Sequence, residues 1–274
     1  MSSEIFKNST LFIPKKSLGQ NFLIDSNITT KICNIDNDIS GSSVLEIGPG
    51  FGAITEILLK KAPKRLFAIE KDGRFKENLN RIKKQYPNHF NFIIADALNF
   101  DFRSLYSNQL KIFSNLPYNI STKLLVKWLK INISSANWDT LTLMFQKEVA
   151  NRIISKSGTK NYGRLSLLSE LLSDVSHKFD VPQNCFKPKP KVISSIIHFK
   201  ALSTPRYACN FQLLEKIVFL AFNQRRKKIK NSLKSLDINV SSILEETEIS
   251  PESRAEEIDL EKYCKLSLKI KNPT

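Results

Sequence analysis

The stretch that most restricts how this chain can fold is Ser43-Val44-Leu45-Glu46-Ile47 followed directly by Gly48-Pro49-Gly50-Phe51-Gly52. A short apolar run ends on a glycine-rich turn, and apolar residues at helical spacing continue from residue 53 to about 61. The expected unit is strand, tight loop, helix. The glycines permit the turn and let a ligand come close to the backbone, while free amides at the helix start favour a carboxylate or phosphate. Dinucleotide enzymes and methyltransferases share such a loop, so it restricts the architecture before it restricts the chemistry.

The rest of the first two hundred residues repeats the unit. A second strand, 65–69, ends on Glu70, where a carboxylate is placed to accept hydrogen bonds from ribose hydroxyls. Asp72 is expected to cap the helix that follows. A third strand, 91–94, leads to Asp96, which can either accept from an adenine amino group or sit as a solvated turn residue. The fourth and fifth strands are expected at 111–114 and 140–146, and residues 177–181 and 193–199 are expected to pair as an antiparallel hairpin at the sheet edge. Five α/β units and a terminal β pair describe a doubly wound α/β sheet. Leu202-Ser203-Thr204-Pro205 breaks this pattern, and apolar residues then fall at helical spacing in 211–222, 229–236, 240–244 and 260–270. The predicted domains are therefore 1–202 and a small helical domain, 203–274.

Ligands of such sheets bind beyond the carboxyl ends of the strands, which is where Asn115-Leu116-Pro117-Tyr118 falls. The exocyclic amine of a purine is a poor nucleophile because its lone pair is delocalised into the ring. The Asn115 side-chain oxygen and the Leu116 carbonyl can each accept one of its N–H groups and localise that lone pair. Pro117 stiffens the turn, and Tyr118 offers a face on which an extruded base can stack. A plain turn with Tyr118 packed on the core would use the same four residues.

Near the start of the chain, Lys15-Lys16-Ser17-Leu18-Gly19-Gln20-Asn21-Phe22-Leu23 reads either as an arm packed by its two apolar residues or as a flap over a ligand. Farther on, Phe186-Lys187-Pro188-Lys189-Pro190-Lys191 is a stiff basic loop carrying a second aromatic plate. Arg225, Arg226, Lys227, Lys228 and Lys230 form a basic cluster in the helical part. With 42 Lys and Arg against 26 Asp and Glu, the net charge of +16 favours a polyanionic partner. The four cysteines and three histidines are scattered, which argues against a zinc site or a disulfide framework. No leader and no membrane-length apolar run is recognisable, so a cytoplasmic protein without membrane attachment is expected.

Together these stretches resemble the bacterial small-subunit rRNA adenine N6,N6-dimethyltransferases. The resemblance is carried by Gly19 to Leu23, Glu46 to Gly52, Glu70-Lys71-Asp72, Asp96-Ala97, Asn115 to Ser121, Gln146 to Ala150, Tyr162-Gly163, the loop from Phe186 to Val192 and Arg225-Arg226-Lys227. It departs at Ile193, where the family often has Asp. It implies a Rossmann-like class I methyltransferase fold with a small C-terminal all-helical domain that binds RNA. Asn21, Leu23, Gly48, Gly50, Glu70, Asp96 and Asn115 would bind S-adenosylmethionine. Asn115, Leu116, Pro117, Tyr118 and Phe186 would carry the chemistry, and the five-residue basic cluster would bind RNA. The implied reaction dimethylates N6 of two adjacent adenosines near the 3′ end of 16S rRNA, without a metal, by a monomer. A nicotinamide dehydrogenase would leave Asn115 to Tyr118 and the basic tail unexplained. A large-subunit, antibiotic-resistance dimethyltransferase would share the first domain, but the basic cluster followed by acidic helices disfavours it. A ribosome-assembly factor that keeps the fold without catalysis is disfavoured by the intact Asn115 motif.

Overall fold

In a computed structural model, the structure describes residues 13–15, 18–105, 110–133, 137–236 and 239–270; Lys16 and Ser17 of the expected arm lie outside the described residues. The strands are β1 (Phe22–Leu23), β2 (Ser43–Ile47), β3 (Arg65–Glu70), β4 (Phe90–Ile94), β5 (Leu110–Ser114), β6 (Thr140–Gln146), β7 (Ser173–Val181), β8 (Phe186–Lys187) and β9 (Ser194–Ala201). The helices are α1 (Ser26–Cys33), α2 (Ala53–Lys60), α3 (Lys76–Gln85), α4 (Tyr118–Ile131), α5 (Lys147–Ile154), α6 (Arg164–Leu172), α7 (Phe211–Asn223), α8 (Ile229–Ser232), α9 (Val240–Glu246) and α10 (Leu260–Lys269). Among the described residues none is long and apolar enough to cross a membrane.

The chain divides into two compact units, residues 1–150 with 175–201, and residues 151–174 with 202–274. The first holds a seven-stranded sheet in the order β4-β3-β2-β5-β6-β9-β7. Strands β2 to β6 run parallel, and β9 is antiparallel to β6. Buried on both faces, the central strands are near-continuous apolar runs, with Leu45, Ile112, Phe113, Leu141 and Phe145 fully enclosed. From β2 the chain moves outward through β3 and β4, then returns to β5 on the other side of β2. That reversal opens a crevice beyond the carboxyl ends of β2 and β5, the residues just before Gly48 and Asn115. The expected edge pair is present as β7 beside β9, with β9 the inner strand.

A separate two-stranded sheet joins β1 to β8, with Leu23 opposite Phe186. Sequence patterning did not reveal it, because two residues carry no alternation.

In the second unit, α6 buries Leu167, Leu171 and Leu172 and packs with α7 and α10. Tyr162, Phe222 and Tyr263 meet edge to face or tilted, with ring centroids 6.1 and 6.2 Å apart. Asn210 and Asp259 cap α7 and α10 by accepting from Leu213 N and Lys262 N. Residues 151–174, which a boundary at 202/203 assigns to the sheet, belong instead to this helical unit, because the apolar stripe of α6 is covered by helices.

Candidate active site

The crevice at the strand-order reversal lies within the first unit. Asn21, Leu23, Gly48, Gly50, Glu70, Asp96 and Asn115 all line it, as do Leu116, Pro117 and Tyr118. Phe186 does not. It is 4% exposed, sits in β8 opposite Leu23 and joins the apolar core, so its ring supports the wall of the crevice rather than facing into it.

One wall is built from carboxylates and the glycine loop. Gly48, Gly50 and Gly52 all have positive φ, and a Cβ on Gly52 would stand 2.4 Å from Ile82 Cδ1 of α3, so a side chain there would be strained in its backbone and would force the buried Ile82 side chain to turn aside. Glu70 fastens this loop: its Oε2 accepts from Gly50 N at 3.0 Å and its Oε1 from Asp72 N at 2.8 Å. Burial pushes the Glu70 pKa up, and the backbone donors oppose that rise. Each carboxylate oxygen retains a further lone pair for a ligand hydroxyl. Asp96 accepts from Lys71 Nζ at 2.7 Å and Leu98 N at 3.0 Å, and the lysine holds its carboxyl below the usual range. Glu46, 1% exposed in the middle of β2, also reaches the crevice. Burial pushes its pKa up to about 8 although Thr55 donates to it at 2.6 Å. Sequence reasoning passed over Glu46 as a site residue; its signal was a lone acid inside an apolar run.

The opposite wall is Asn115 to Tyr118. Ser114 Oγ donates to Ile47 O at 2.9 Å, tying the end of β5 to the end of β2. Asn115 Nδ2 donates to Asn21 O at 3.4 Å, and no group of the described residues donates to its Oδ1. The acceptor atom thus remains available in the crevice. Pro117, with φ −54°, opens α4, and Tyr118 is the first residue of that helix. Its hydroxyl shares a 2.7 Å hydrogen bond with Ser194 Oγ at the start of β9.

The segment 18–23 bridges both walls. Gly19, with φ +61°, lies where a Cβ would come within 3.2 Å of Pro117 Cβ. Gln20 Nε2 donates to Asp72 Oδ2 at 2.8 Å, and Arg74 pairs with the same carboxylate at 2.6 Å, lowering the Asp72 pKa to about 2. Phe22 packs edge-on to Phe51, which packs edge-on to Phe75, with centroids 4.9 and 5.0 Å apart. Asp72 therefore does more than cap a helix, a role invisible without Gln20 in space.

The second unit holds the basic cluster, and much of its charge is met internally. Arg225 Nε lies 3.3 Å from Glu256 Oε2, and both Lys228 and Lys230 pair with Glu252. Arg226 and Lys227 make no ion pair among the described residues.

The crevice, lined by the glycine loop, buried carboxylates and Asn115 to Tyr118, can be set beside known proteins. The family model described as ribosomal RNA adenine dimethylase matches residues 12–272. A ribosomal RNA small subunit methyltransferase A of Cereibacter sphaeroides is 43% identical over 256 residues, 93% of this chain and 92% of the relative. One from Ehrlichia ruminantium is 43% identical over 255 residues, 93% and 96% of the two chains. Among solved structures, a dimethyladenosine transferase from Plasmodium falciparum superposes with a TM-score of 0.77 at 24% identity, over 89% of this chain and 95% of that one. The 23S rRNA methyltransferase ErmE gives 0.67 at 24%, over 90% and 98%. These two share the fold. With a match running almost from end to end and the crevice residues in the order that the motifs require, the chain belongs to the ribosomal RNA adenine dimethylase family.

Proposed function

We propose that this protein dimethylates N6 of two adjacent adenosines near the 3′ end of 16S rRNA, within the small ribosomal subunit or its precursor, using S-adenosylmethionine. The observation that carries the reading is Asn115 Oδ1, to which no described residue donates, held at the end of β5 beside the glycine loop.

The crevice fits the methyl donor. Positive φ at Gly48 and Gly50 leaves open backbone where side chains would project, Glu70 can take the ribose hydroxyls, and Asp96 can take the adenine amine. Bound S-adenosylmethionine supplies an electrophilic methyl: the N6 lone pair takes it, the carbon–sulfur bond breaks towards sulfur, and the nitrogen's proton passes to solvent. Asn115 Oδ1 and the Leu116 carbonyl accept the two N–H groups of the target and raise the density of its lone pair. Tyr118 stacks on the extruded base, a contact worth about 1–3 kcal/mol. Alignment of the reacting atoms supplies roughly 7–11 kcal/mol of the acceleration.

Unmodified adenine offers two N–H groups and N6-methyladenine only one, so the second transfer proceeds with one acceptor unpaired. Asn115→Ala therefore slows the first methylation more than the second, within the scale of about 2.7–4 kcal/mol seen for lost oxyanion-type donors. Asn115→Asp retains more activity than Asn115→Ala. Single-turnover transfer to unmodified and N6-monomethylated RNA, with products resolved by mass spectrometry, measures both steps. Equal slowing of the two, with normal S-adenosylmethionine binding, would show that Asn115 positions the whole base. Failure of the unaltered protein to methylate small-subunit RNA would refute the function.

A further inference from the structure

Two of the four cysteines, Cys209 and Cys264, are far apart in the chain but meet in the second unit. Cys209 stands just before Asn210, the cap of α7, and Cys264 lies in the middle of α10. These helices pack on each other, and a polar clasp fixes the contact: Asn210 N donates to Ser267 Oγ at 3.1 Å, and that hydroxyl donates to Cys264 O at 2.7 Å. The chain entering α7 is thereby held against the part of α10 that carries Cys264. The two thiols are free and hydrogen-bonded to each other, Cys264 as donor and Cys209 as acceptor. Spacing in the sequence gave no sign of this pair, because only the packing of two helices brings its members together.

The two sulfurs are not equivalent. Cys209 is half-buried, whereas Cys264 is 1% exposed. The hydrogen bond from Cys264 holds the Cys209 thiol below its ordinary range against the opposing effect of burial, so Cys209 ionises first. That same bond, then burial, push Cys264 up. A thiolate is the nucleophile towards peroxides, and one that solvent can reach beside a second thiol is oxidised to a disulfide in preference to sulfinic acid. Cys33 and Cys185 lack this arrangement: both are buried in the apolar core of the first unit, and burial raises both thiols.

We propose that Cys209 and Cys264 form an oxidisable dithiol, which a hydroperoxide converts into an intramolecular disulfide stapling the start of α7 to α10. The Cys209 thiolate attacks one oxygen of hydrogen peroxide; a sulfur–oxygen bond forms, the oxygen–oxygen bond breaks, and the departing hydroxide leaves as water with the proton that Cys209 gave up. The Cys264 sulfur then displaces the sulfenic hydroxyl. The sulfur–sulfur bond forms, the sulfur–oxygen bond breaks, and the Cys264 proton leaves with that hydroxyl as a second water. Each sulfur loses one electron, and the peroxide takes both. A small dithiol reverses the reaction by giving up its own two hydrogens.

The test uses the full-length protein, first reduced and then exposed to hydrogen peroxide. Alkylation with N-ethylmaleimide after unfolding is expected to find four thiols before exposure and two after it, and peptide mapping to join Cys209 to Cys264. Dithiothreitol should restore all four. The oxidised protein is expected to unfold at roughly 1 M more urea than the reduced one, since the closed loop restricts the unfolded chain. In Cys264→Ser, oxidation is expected to stop at a Cys209 sulfenic acid that dimedone captures, and in Cys209→Ser the buried Cys264 should stay reduced over the same exposure. Four thiols surviving in the unaltered protein, Cys209 driven to sulfinic acid with Cys264 still free, or a bond to Cys33, Cys185 or a second molecule overturns the proposal. So does an oxidised form no more resistant to urea than the reduced one. The peptide map of the unaltered protein decides the pairing even where a variant fails to fold, and none of these readouts uses RNA, so the outcome is independent of the methylating function.

Discussion

Tyr118 and Ser194 stand 76 residues apart in the chain yet share a 2.7 Å hydrogen bond that ties the ring lining the crevice to the start of β9. Tyr118→Phe and Ser194→Ala each remove this bond and should each lower kcat/KM by roughly fivefold, about 1 kcal/mol, with unchanged S-adenosylmethionine affinity. Because they remove the same interaction, the double variant should lose little more than either single one. Additive losses in that cycle would mean that the two residues act independently. Tyr118 was legible in sequence because a polar, aromatic, proline-containing tetrapeptide followed a strand. Ser194 was not, since nothing distinguishes it from Ser195. Alternation along β9 sends the neighbouring hydroxyl elsewhere, to Asp180 at 2.7 Å. Glu70, Asp96 and Asn115 were legible for the same reason as Tyr118: each follows or ends a parallel strand, and such ends converge on the crevice.

Elements were read with uneven success for physical reasons. The four inner parallel strands, β2, β3, β5 and β6, announced themselves as apolar runs because burial on both faces leaves little room for polar residues, whereas the edge strand β4 keeps alternate residues exposed. The β1–β8 sheet and the bridging segment 18–23 gave no such signal, as their order comes from contacts with Pro117, Asn115 and Asp72 far along the chain. The glycine loop was recognised, but its reason at Gly52 is spatial: φ +85° combines with a Cβ position 2.4 Å from Ile82 Cδ1. Gly158 separates the two effects, with φ +82° and nothing within 4 Å of its Cβ position. Gly158→Ala should cost about 1 kcal/mol of backbone strain, whereas Gly52→Ala should cost about 2 kcal/mol because the buried Ile82 side chain must also leave its rotamer. Urea unfolding of the two variants measures the difference. Equal losses would remove Ile82 crowding as the reason for glycine after β2.

At the scale of the whole molecule, buried carboxyls set how stability responds to pH. Glu46 has an ordinary pKa of 4.5 in an unfolded chain and one pushed up to about 8 in the folded protein, mainly by burial. Below 4.5 it is protonated in both states and costs nothing. Between 4.5 and about 8 the unfolded chain ionises first, so the stability present at low pH is progressively lost, by up to about 1.4 kcal/mol per pH unit. Above about 8 both states are ionised and the loss levels off. Asp72 and Asp180 act in the opposite sense. Arg74 and Lys147 respectively hold them at about 2, so their contribution is present above 3.8 and disappears as pH falls through about 2. The acid limb and the alkaline limb therefore have different owners, and stability should peak near pH 4–5, more acidic than the usual optimum. Glu46→Gln keeps an acceptor for the Thr55 hydroxyl and a donor in place of the carboxylic proton, but cannot ionise. It should shrink the decline between pH 5 and 8, leaving the part that the raised pKa of Glu70 contributes, and leave the acid limb unaltered. Urea midpoints at pH 3, 5, 6.5 and 8 for the two proteins decide the matter: curves that stay parallel from pH 5 to 8 would show that Glu46 is ionised in the folded state and that its burial is compensated in some other way.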